Sequence, residues 1–478
     1  MKECVIDIKD EVNVRINGLD PMIRRKLVKE LEYFLPYARH TPAFKLGRWN
    51  GMMNFCDIGG RTYINLLDKL LPIITDAGYS ISLDDKRIQH VYEFEEVNKD
   101  SYSHLKWPEG HTKAGESIEL RDYQVELVNS YFSNPQSLSI CPTAGGKTIV
   151  TAILSHRVEP YGRTIVIVPT KDLVTQTEED YINFNLDVGV YYGDKKEIGK
   201  MHTICTWQSL EVMNKMKDGT IERFLDGVVC VIVDEVHKAK ADVLRKLLSG
   251  PFASCALRWG LTGTLPEEEH ERVSVTACIG PTTGEIRAVD LQEAGHLSNC
   301  HVSVYQLKDP GGFDSYQSEL KWLTTNKERV EFIASLLGDM VADGNTLILV
   351  DRVQTGEMLA AITGGTFISG RVKATERKTE YKSIQTEDNK LVIATYGVAS
   401  TGINIPRIFN LALFEPGKSF VRVIQSIGRG LRVAEDKDFV NVFDITSTCK
   451  YSKRHLTKRK KFYREVGYKF NITKMDYI

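Results

Sequence analysis

Apolar and polar residues alternate along two short stretches at the start of the chain. The stretches C-V-I-D-I (residues 4–8) and V-N-V-R-I (residues 12–16) place apolar side chains at every second position. This period predicts two strands with one buried face each. The following D-P-M-I-R-R-K-L, from Asp20, offers an N-cap, a proline at the first helical position and apolar residues at helical spacing. We therefore predict a small α+β domain over residues 1–95.

Later in the chain, the apolar positions form short uninterrupted runs that alternate with helical stretches. Examples are T-I-V-I-V, V-V-C-V-I-V and T-L-I-L-V. Such runs are typical of parallel strands that are buried on both faces. The series begins near residue 118 and is too long for one doubly wound sheet, so we predict an α/β protein with two tandem parallel-sheet domains. The predicted parts after the first domain are a linker over residues 96–117, domains over 118–290 and 291–450, and a basic aromatic tail over 451–478.

Composition narrows the class of protein. The net charge is −1, so a nucleic-acid site would have to be a local patch of positive charge. The nine cysteines are scattered without a C-x-x-C pair, which is typical of reduced thiols inside a cell. The chain has no apolar run of about 20 residues and no signal-peptide pattern at its start. These features predict a cytoplasmic protein that does not bind membranes.

The segment C-P-T-A-G-G-K-T, residues 141–148, lies between an apolar run and a helical stretch. It matches the phosphate-binding pattern G-x-x-x-x-G-K-[ST] except that Cys141 stands in the place of the first glycine. In such loops backbone N–H groups face phosphate oxygens, the lysine reaches the β- and γ-phosphates, and the threonine hydroxyl holds Mg²⁺. Taken alone, the segment could also be a glycine-rich turn.

Two carboxylates end the apolar run V-V-C-V-I-V, at Asp234 and Glu235. Open α/β sheets place their sites at the carboxyl edge of the strands. We therefore expect Asp234 to hold the Mg²⁺ that bridges the phosphates and Glu235 to activate the attacking water. The alternative is an acidic strand end in solvent, which the phosphate-loop pattern upstream makes less attractive.

Over about residues 118–435 the chain resembles the superfamily 2 helicases. Eight segments occur in the order of that family, with Cys141 and Val236 as modest departures. The segments are R-D-Y-Q (121–124), C-P-T-A-G-G-K-T (141–148), V-P-T-K-D-L-V-T-Q (168–176), C-T-W-Q-S-L (205–210), D-E-V-H (234–237), L-T-G-T-L (261–265), A-T-Y-G-V-A-S-T-G-I-N (394–404) and Q-S-I-G-R-G-L-R (425–432). The resemblance implies two RecA-like motor domains that hydrolyse ATP with Mg²⁺.

The resemblance also implies a role for each matching residue. Arg429 and Arg432 would stabilise charge on the transferred phosphoryl group, and Thr148 and Asp234 would hold the metal. The implied catalytic residues are Lys147, Asp234, Glu235, Gln425, Arg429 and Arg432. The implied nucleotide-binding residues are Arg121, Gln124, Pro142, Thr143, Ala144, Gly145, Gly146, Lys147, Thr148, Gly402 and Asn404. The residues that would couple the nucleotide to the nucleic acid are Thr262, Gly263 and Thr264.

Two further regions predict contacts with nucleic acid. The N-terminal T-P-A-F-K-L-G-R-W-N-G-M-M-N-F resembles the accessory domain of the UvsW-type phage helicases, which implies a branched DNA substrate, phage recombination or replication partners and a place in the host cytoplasm. The tail interleaves cations with aromatic rings. The predicted contact residues in these two regions are Lys45, Arg48 and Trp49, and Lys458, Arg459 and Lys460. The resemblance to the helicases adds contacts from the motor motifs at Pro169, Thr170, Thr206, Trp207, Gln208 and Thr395. Trp49 could instead be buried in a small core, and the tail could pack its aromatic face on the second domain.

The leading hypothesis is an ATP-dependent DNA helicase that unwinds or branch-migrates forks, Holliday junctions and D-loops. The alternatives are an RNA helicase, or a duplex translocase that does not separate strands. A non-catalytic scaffold conflicts with the intact phosphate-loop lysine and carboxylates. The motor subunit of a restriction enzyme is disfavoured because the sequence outside the motor leaves no room for a nuclease domain.

Overall fold

A computed structural model describes the chain apart from residues 1, 110–112, 143–144, 239–240, 341–343, 371–386, 400–406, 418–438, 466 and 478. The described residues form two compact units. Unit 1 comprises residues 1–109, 113–140 and 148–285, and unit 2 comprises residues 141–147 and 286–478. No described helix is both long enough and apolar enough for a membrane span.

The N-terminal part of unit 1 is a small α+β fold, as predicted. Its elements are β1 (Lys2–Ile8), β2 (Asn13–Asn17), α1 (Pro21–Glu30), β3 (Glu32–Phe34), α2 (Pro42–Lys45), β4 (Met52–Asn54), β5 (Arg61–Tyr63), α3 (Leu67–Asp76) and β6 (Tyr79–Asp85). Four strands form a sheet in the order β5-β2-β1-β6, and β3 pairs with β4 in an antiparallel ribbon. Asp20 caps α1, since its Oδ1 accepts a hydrogen bond from Ile23 N at 3.0 Å.

This small fold shares a hydrophobic core with the rest of unit 1. Ile16, Leu27 and Phe55 belong to the same buried cluster as Phe252 and Ile279. The contact also includes polar groups, because Glu11 N donates to Ala253 O at 3.0 Å and Asn13 Nδ2 donates to Ser249 O at 2.8 Å. The N-terminal fold is therefore an integral part of unit 1.

The stretch 96–117 is not the exposed linker that its polar composition predicts. Val97 and Tyr102 are buried in its described part, and both join a core cluster that also contains Ile118. The Tyr102 hydroxyl lies 2.9 Å from Nδ1 of His156. A few well-spaced apolar side chains thus hold this irregular segment against the following domain.

An eight-stranded sheet forms the main body of unit 1. The elements are α4 (Asp122–Ser133), β7 (Gln136–Ile140), α5 (Lys147–Val158), β8 (Arg163–Val168), α6 (Lys171–Asn183), β9 (Val188–Tyr192), β10 (Lys195–Lys196), β11 (His202–Thr206), α7 (Trp207–Met216), α8 (Thr220–Phe224), β12 (Val228–Asp234), α9 (Ala241–Leu248), β13 (Leu257–Thr262), α10 (Glu269–Cys278) and β14 (Thr282–Glu285). The strand order is β10-β9-β11-β8-β12-β13-β7-β14, and all neighbours are parallel except β10 and β9. The carboxyl ends of the parallel strands consequently meet at one edge.

Unit 2 contains a second sheet of seven described strands, all parallel. Its elements are α11 (Ala288–Glu293), β15 (Asn299–Leu307), α12 (Tyr316–Thr325), α13 (Lys327–Met340), β16 (Thr346–Val350), α14 (Val353–Thr363), β17 (Thr366–Ile368), β18 (Leu391–Thr395), α15 (Tyr396–Ala399), β19 (Asn410–Phe414), β20 (Phe439–Ser447), α16 (Lys450–Glu465) and β21 (Lys469–Met475). The order is β17-β18-β16-β19-β20-β15-β21. The two parallel sheets confirm the predicted fold class.

The basic segment after residue 450 is part of this second fold. Helix α16 buries Leu456, Phe462 and Tyr463, and β21 extends the sheet by pairing with β15. The prediction of a tail separate from the second domain is therefore wrong. The alternative, in which the segment packs its aromatic side chains on that domain, is confirmed.

Candidate functional site

The predicted phosphate loop joins β7 to α5. Gly145 N donates to Pro142 O at 3.0 Å, and Nζ of the buried Lys147 donates to Cys141 O at 3.4 Å. Thr148 is half-buried in the first turn of α5. The predicted residues Thr143 and Ala144 lie outside the described part of the chain.

The two glycines of this loop satisfy different constraints. A Cβ atom at Gly145 would lie 2.6 Å from Sγ of Cys141 and 3.0 Å from Pro142 O, so no side chain fits there. Gly146 has φ +74°, in the left-handed region that glycine adopts at little cost. Both positions therefore require glycine, as in loops whose backbone N–H groups come close to a phosphate.

The predicted nucleotide-binding residues Arg121 and Gln124 lie at the start of α4. Gln124 is buried, and its Oε1 accepts a hydrogen bond from Arg121 N at 3.0 Å. Arg121 donates through Nη1 to the Tyr123 hydroxyl at 2.9 Å. The Gln124 carboxamide oxygen thus caps the helix in this structure, and nucleotide binding by the two residues stays a prediction.

Asp234 and Glu235 lie at the carboxyl end of β12, where the apolar run ends. Glu235 N donates to Oδ1 of Asp234 at 2.9 Å. Glu235 has φ +52°, an uncommon conformation for a residue with a side chain, and is only 8% exposed. Backbone strain of this kind clusters at functional sites. The bend separates a half-buried carboxylate, Asp234, from a buried one.

His237 connects these carboxylates to the next strand end. Its Nδ1 lies 2.6 Å from Oγ1 of Thr262 and 3.4 Å from Oε2 of Glu235. The Thr262 hydroxyl donates to Thr264 O at 2.7 Å, and Gly263 lies between the two threonines. The predicted coupling residue Thr262 is therefore linked to Glu235, a predicted catalytic carboxylate, through a histidine that was not among the predicted site residues. His237 is the fourth residue of the D-E-V-H motif, and this position in the motif could have identified it from the sequence.

Two other strand ends carry predicted nucleic-acid contacts. Thr170 and Thr206 are the N-caps of α6 and α7, and each Oγ1 accepts a hydrogen bond from a backbone N–H of its own helix, at 3.4 Å and 3.3 Å. Gln208 is exposed and donates through Nε2 to O of the buried Pro169 at 3.4 Å.

The structure corrects the prediction for Trp207. Its side chain is 9% exposed and packs into the main core cluster of unit 1, so the ring has no surface for a base. Thr206 is likewise 4% exposed, and its hydroxyl serves the helix cap. Gln208 is the member of this trio that is accessible to a nucleic acid.

The predicted contacts near the N-terminus lie between β3 and β4. Lys45 ends α2 and Arg48 follows it, and both are exposed. Trp49 is half-buried: its Nε1 donates to Met52 O at 3.1 Å, and its ring centroid lies 6.3 Å from that of Tyr37. The indole therefore supports the local fold with one part of its surface and leaves another part accessible. This lies between the two alternatives, a DNA contact and burial in a small core.

In unit 2 the predicted residues have very different environments. Thr395 is half-buried at the end of β18, Lys458 is exposed on α16 and Lys460 is half-buried. Arg459 is 1% exposed and donates to both carboxylate oxygens of Asp444 at 2.9 Å. Its prediction as a DNA contact is wrong, because the guanidinium is consumed by this ion pair.

The remaining predicted residues of the second domain lie outside the described part of the chain. They are Gly402, Asn404, Gln425, Arg429 and Arg432.

Two family profiles match the chain. Residues 117–267 match the profile described as type III restriction enzyme, res subunit, and residues 328–434 match the helicase conserved C-terminal domain. Both matches cover segments in which the motifs occur, and together they span most of the two sheets.

Similar proteins extend over more of the chain. The ATP-dependent DNA helicase UvsW of phage T4 is 23% identical over 89% of this chain and 87% of its own length. A putative DNA 3′-5′ helicase Rad25 of Haloarcula marismortui is 25% identical over 68% of this chain, which spans 52% of that protein. Among solved structures, a fragment of a putative HsdR subunit of a type I restriction enzyme from Vibrio vulnificus has a TM-score of 0.57 at 16% identity, covering 90% of this chain and 79% of the fragment.

Proposed function

Because the chain belongs to the superfamily 2 ATP-dependent helicases, we propose that it unwinds or branch-migrates branched DNA such as forks, Holliday junctions and D-loops. The observation that carries this proposal is the carboxyl edge of unit 1, where Glu235, with its strained backbone, has Oε2 3.4 Å from Nδ1 of His237. The same histidine nitrogen lies 2.6 Å from Oγ1 of Thr262 at the end of β13, and that hydroxyl donates to Thr264 O. The similarity to UvsW over nearly its full length supports DNA as the nucleic acid. A role among phage recombination or replication proteins in the host cytoplasm is part of the same proposal.

ATP with Mg²⁺ is the proposed fuel. Lys147, at the end of a loop too tight for side chains, would neutralise the β- and γ-phosphates. Thr148 and Asp234 would hold Mg²⁺, which in nucleotide sites takes one or two protein carboxylates and completes its shell with phosphate oxygens and water. The metal would neutralise charge that builds up on the phosphates.

Glu235 is the proposed base that orients and deprotonates the attacking water. It is buried, and its backbone lies in the left-handed region. His237 lies within hydrogen-bonding reach of Thr262 and contacts Oε2 of Glu235 at 3.4 Å. A change at the carboxylate would thereby be transmitted to Thr262 and Thr264 at the edge of the sheet.

The proposed DNA contacts are the exposed ones. Lys45, Arg48 and Gln208 in unit 1, with Lys458 in unit 2, present donors that suit phosphate oxygens. Thr395 and Lys460 are half-buried and would contribute less. Because the phosphate contacts of the motor domains carry little information about DNA shape, recognition of a branch is assigned to a part outside them, the N-terminal loop that bears Lys45 and Arg48.

The test compares ATP hydrolysis and strand separation on forked DNA, plain duplex, single-stranded DNA and single-stranded RNA. We expect the largest stimulation and unwinding with forks. The double variant Lys45→Ala/Arg48→Ala should lose the preference for forks, whereas Arg25→Ala/Lys26→Ala, which removes two exposed cations from α1, should keep it. Point variants are preferable to deletion of residues 1–95, because deletion would expose the shared core.

Stronger stimulation by RNA than by any DNA would contradict the proposal and favour an RNA helicase. ATP hydrolysis on plain duplex without strand separation on forks would favour a duplex translocase.

A further inference from the structure

The segment from Leu35 to Gly51, here called the 35–51 loop, joins β3 to β4 and contains no aspartate or glutamate. Four of its side chains can carry positive charge, and all four are exposed: Arg39, His40, Lys45 and Arg48. This loop is therefore more positive than the chain as a whole, whose net charge is −1. This charge suits a polyanion.

The base of the loop packs on a small cluster of aromatic and apolar side chains. The rings of Phe34 and Phe44 meet edge to face with centroids 5.9 Å apart, and Leu35 and Ala38 are buried beside them. A Cβ atom at Gly51 would lie 2.7 Å from the Phe34 ring, so the chain closes directly onto these rings. This packing anchors both ends of the loop and supports its tip.

The tip of the loop carries an apolar side chain. Leu46 N donates to Pro42 O at 2.9 Å and Arg48 N donates to Ala43 O at 2.9 Å, while Gly47 turns the chain with φ +66°. Leu46 is 65% exposed, and a Cβ atom at Gly47 would meet no other atom within 4 Å. An apolar residue is therefore fixed in open space between Lys45 and Arg48.

We propose that Leu46 is a wedge that enters the base stack where duplex DNA meets its separated strands, while Lys45 and Arg48 hold the phosphates on either side. This inference rests on the proposed function, because it presumes a branched DNA substrate. Proteins that unstack base steps insert apolar side chains of this kind and bind the flanking phosphates with cations. The absence of carboxylates in the 35–51 loop removes repulsion from the DNA backbone.

The experiment uses the full chain and forked DNA with 2-aminopurine at the first paired position. Without ATP, binding of the wild-type protein should raise the 2-aminopurine fluorescence because the base loses its stacking partner. Leu46→Ser should abolish this rise, and Leu46→Met, which keeps an apolar side chain, should retain it. With ATP, Leu46→Ser should unwind forks roughly tenfold more slowly, the change expected when one leucine side chain no longer finds an apolar environment.

The control variant is Met22→Ser, which alters a side chain of the same 65% exposure on α1. It should leave both signals unchanged, and melting curves should confirm that all variants fold. Hydrolysis of ATP stimulated by single strands should be equal in all of them, because single strands have no junction to open.

The outcomes separate this inference from the proposed function. If Leu46→Ser gives the wild-type fluorescence rise and fork unwinding within twofold of wild type, the wedge is refuted while the helicase stands. If the wild-type protein unwinds no fork but its fluorescence rise still requires Leu46, the wedge is supported and the proposed function fails. If no fluorescence rise occurs with the wild-type protein, the wedge is refuted.

Discussion

Replacement of Arg459 by alanine distinguishes a structural cation from a DNA-binding one. The guanidinium donates to both oxygens of Asp444 at 2.9 Å and to Gly417 O at 2.6 Å, and the Tyr463 hydroxyl donates to the same carboxylate at 2.9 Å. Both charged side chains are at most 1% exposed. In Arg459→Ala, the buried Asp444 carboxylate would lose its cation and keep the neutral Tyr463 hydroxyl as its partner.

The expected cost follows from this geometry. Removal of one partner from a buried ion pair destabilises a protein by about 3–5 kcal/mol, because the remaining charge is left uncompensated. For a unit of roughly 200 residues, each kcal/mol lowers the melting temperature by about 2–4 °C. We therefore expect the transition of unit 2 to fall by about 10 °C. Added salt should not reproduce this loss, since solvent ions have no access to the pair.

Calorimetry and fork binding at several salt concentrations make up the assay, with Lys458→Ala as the matched control. Lys458 is the preceding residue on α16 and is exposed, so its loss should leave the melting temperature unchanged. If it contacts a phosphate, the slope of log affinity against log salt should decrease by about 0.9. The reasoning is refuted if Arg459→Ala melts like the wild type and instead loses DNA affinity as Lys458→Ala does.

Three further predictions concern unit 1 and the phosphate loop. Lys147→Ala should abolish ATP hydrolysis while DNA binding persists, and measurable turnover in this variant would contradict the phosphate-loop assignment. Gly145→Ala should impair nucleotide binding because its Cβ would meet Cys141 Sγ at 2.6 Å; the added Cys141→Gly exchange should partly restore binding, as measured by titration with a fluorescent ATP analogue. Burial lowers the pKa of His202 from 6.5, against the opposing effects of Glu159 and Asp187. The contribution of neutral His202 to the free energy of unfolding should therefore be fully present above pH 6.5 and decrease below it, by at most about 1.4 kcal/mol per pH unit. Denaturant titrations at several pH values should find a shallower decrease in His202→Gln.

The sequence predicts well those elements whose local pattern and tertiary environment agree. The alternation around Cys4, Ile6 and Ile8 predicts β1 because its buried face is the one that the pattern indicates. The Asp20 cap follows equally from local chemistry. The parallel strands of both sheets are predicted because uninterrupted apolar runs suit burial on two faces. The motif order then locates the nucleotide-binding loop and the carboxylates.

Local sequence patterns do not predict the environment of a side chain whose partner lies in another element. Arg459 looks like one more cation of a basic helix, since its partner Asp444 lies outside the helix on β20. Tyr102 looks like an isolated aromatic residue in a polar linker, yet its hydroxyl reaches His156. The exposure of Lys45 and Arg48 and the burial of Trp207 likewise depend on packing that no local window contains.

The shared core of unit 1 has a consequence for the synthesis of the protein. Residues 1–95 leave the ribosome first, but their apolar face is completed only when Phe252 and Ile279 have been added. At elongation rates of about 5–20 residues per second, the nascent N-terminal fold waits roughly ten to thirty seconds for Phe252. During that interval its apolar face is accessible to chaperones and to neighbouring nascent chains. Slow codons placed between the two regions would lengthen the exposure, and the yield of folded protein would fall with them.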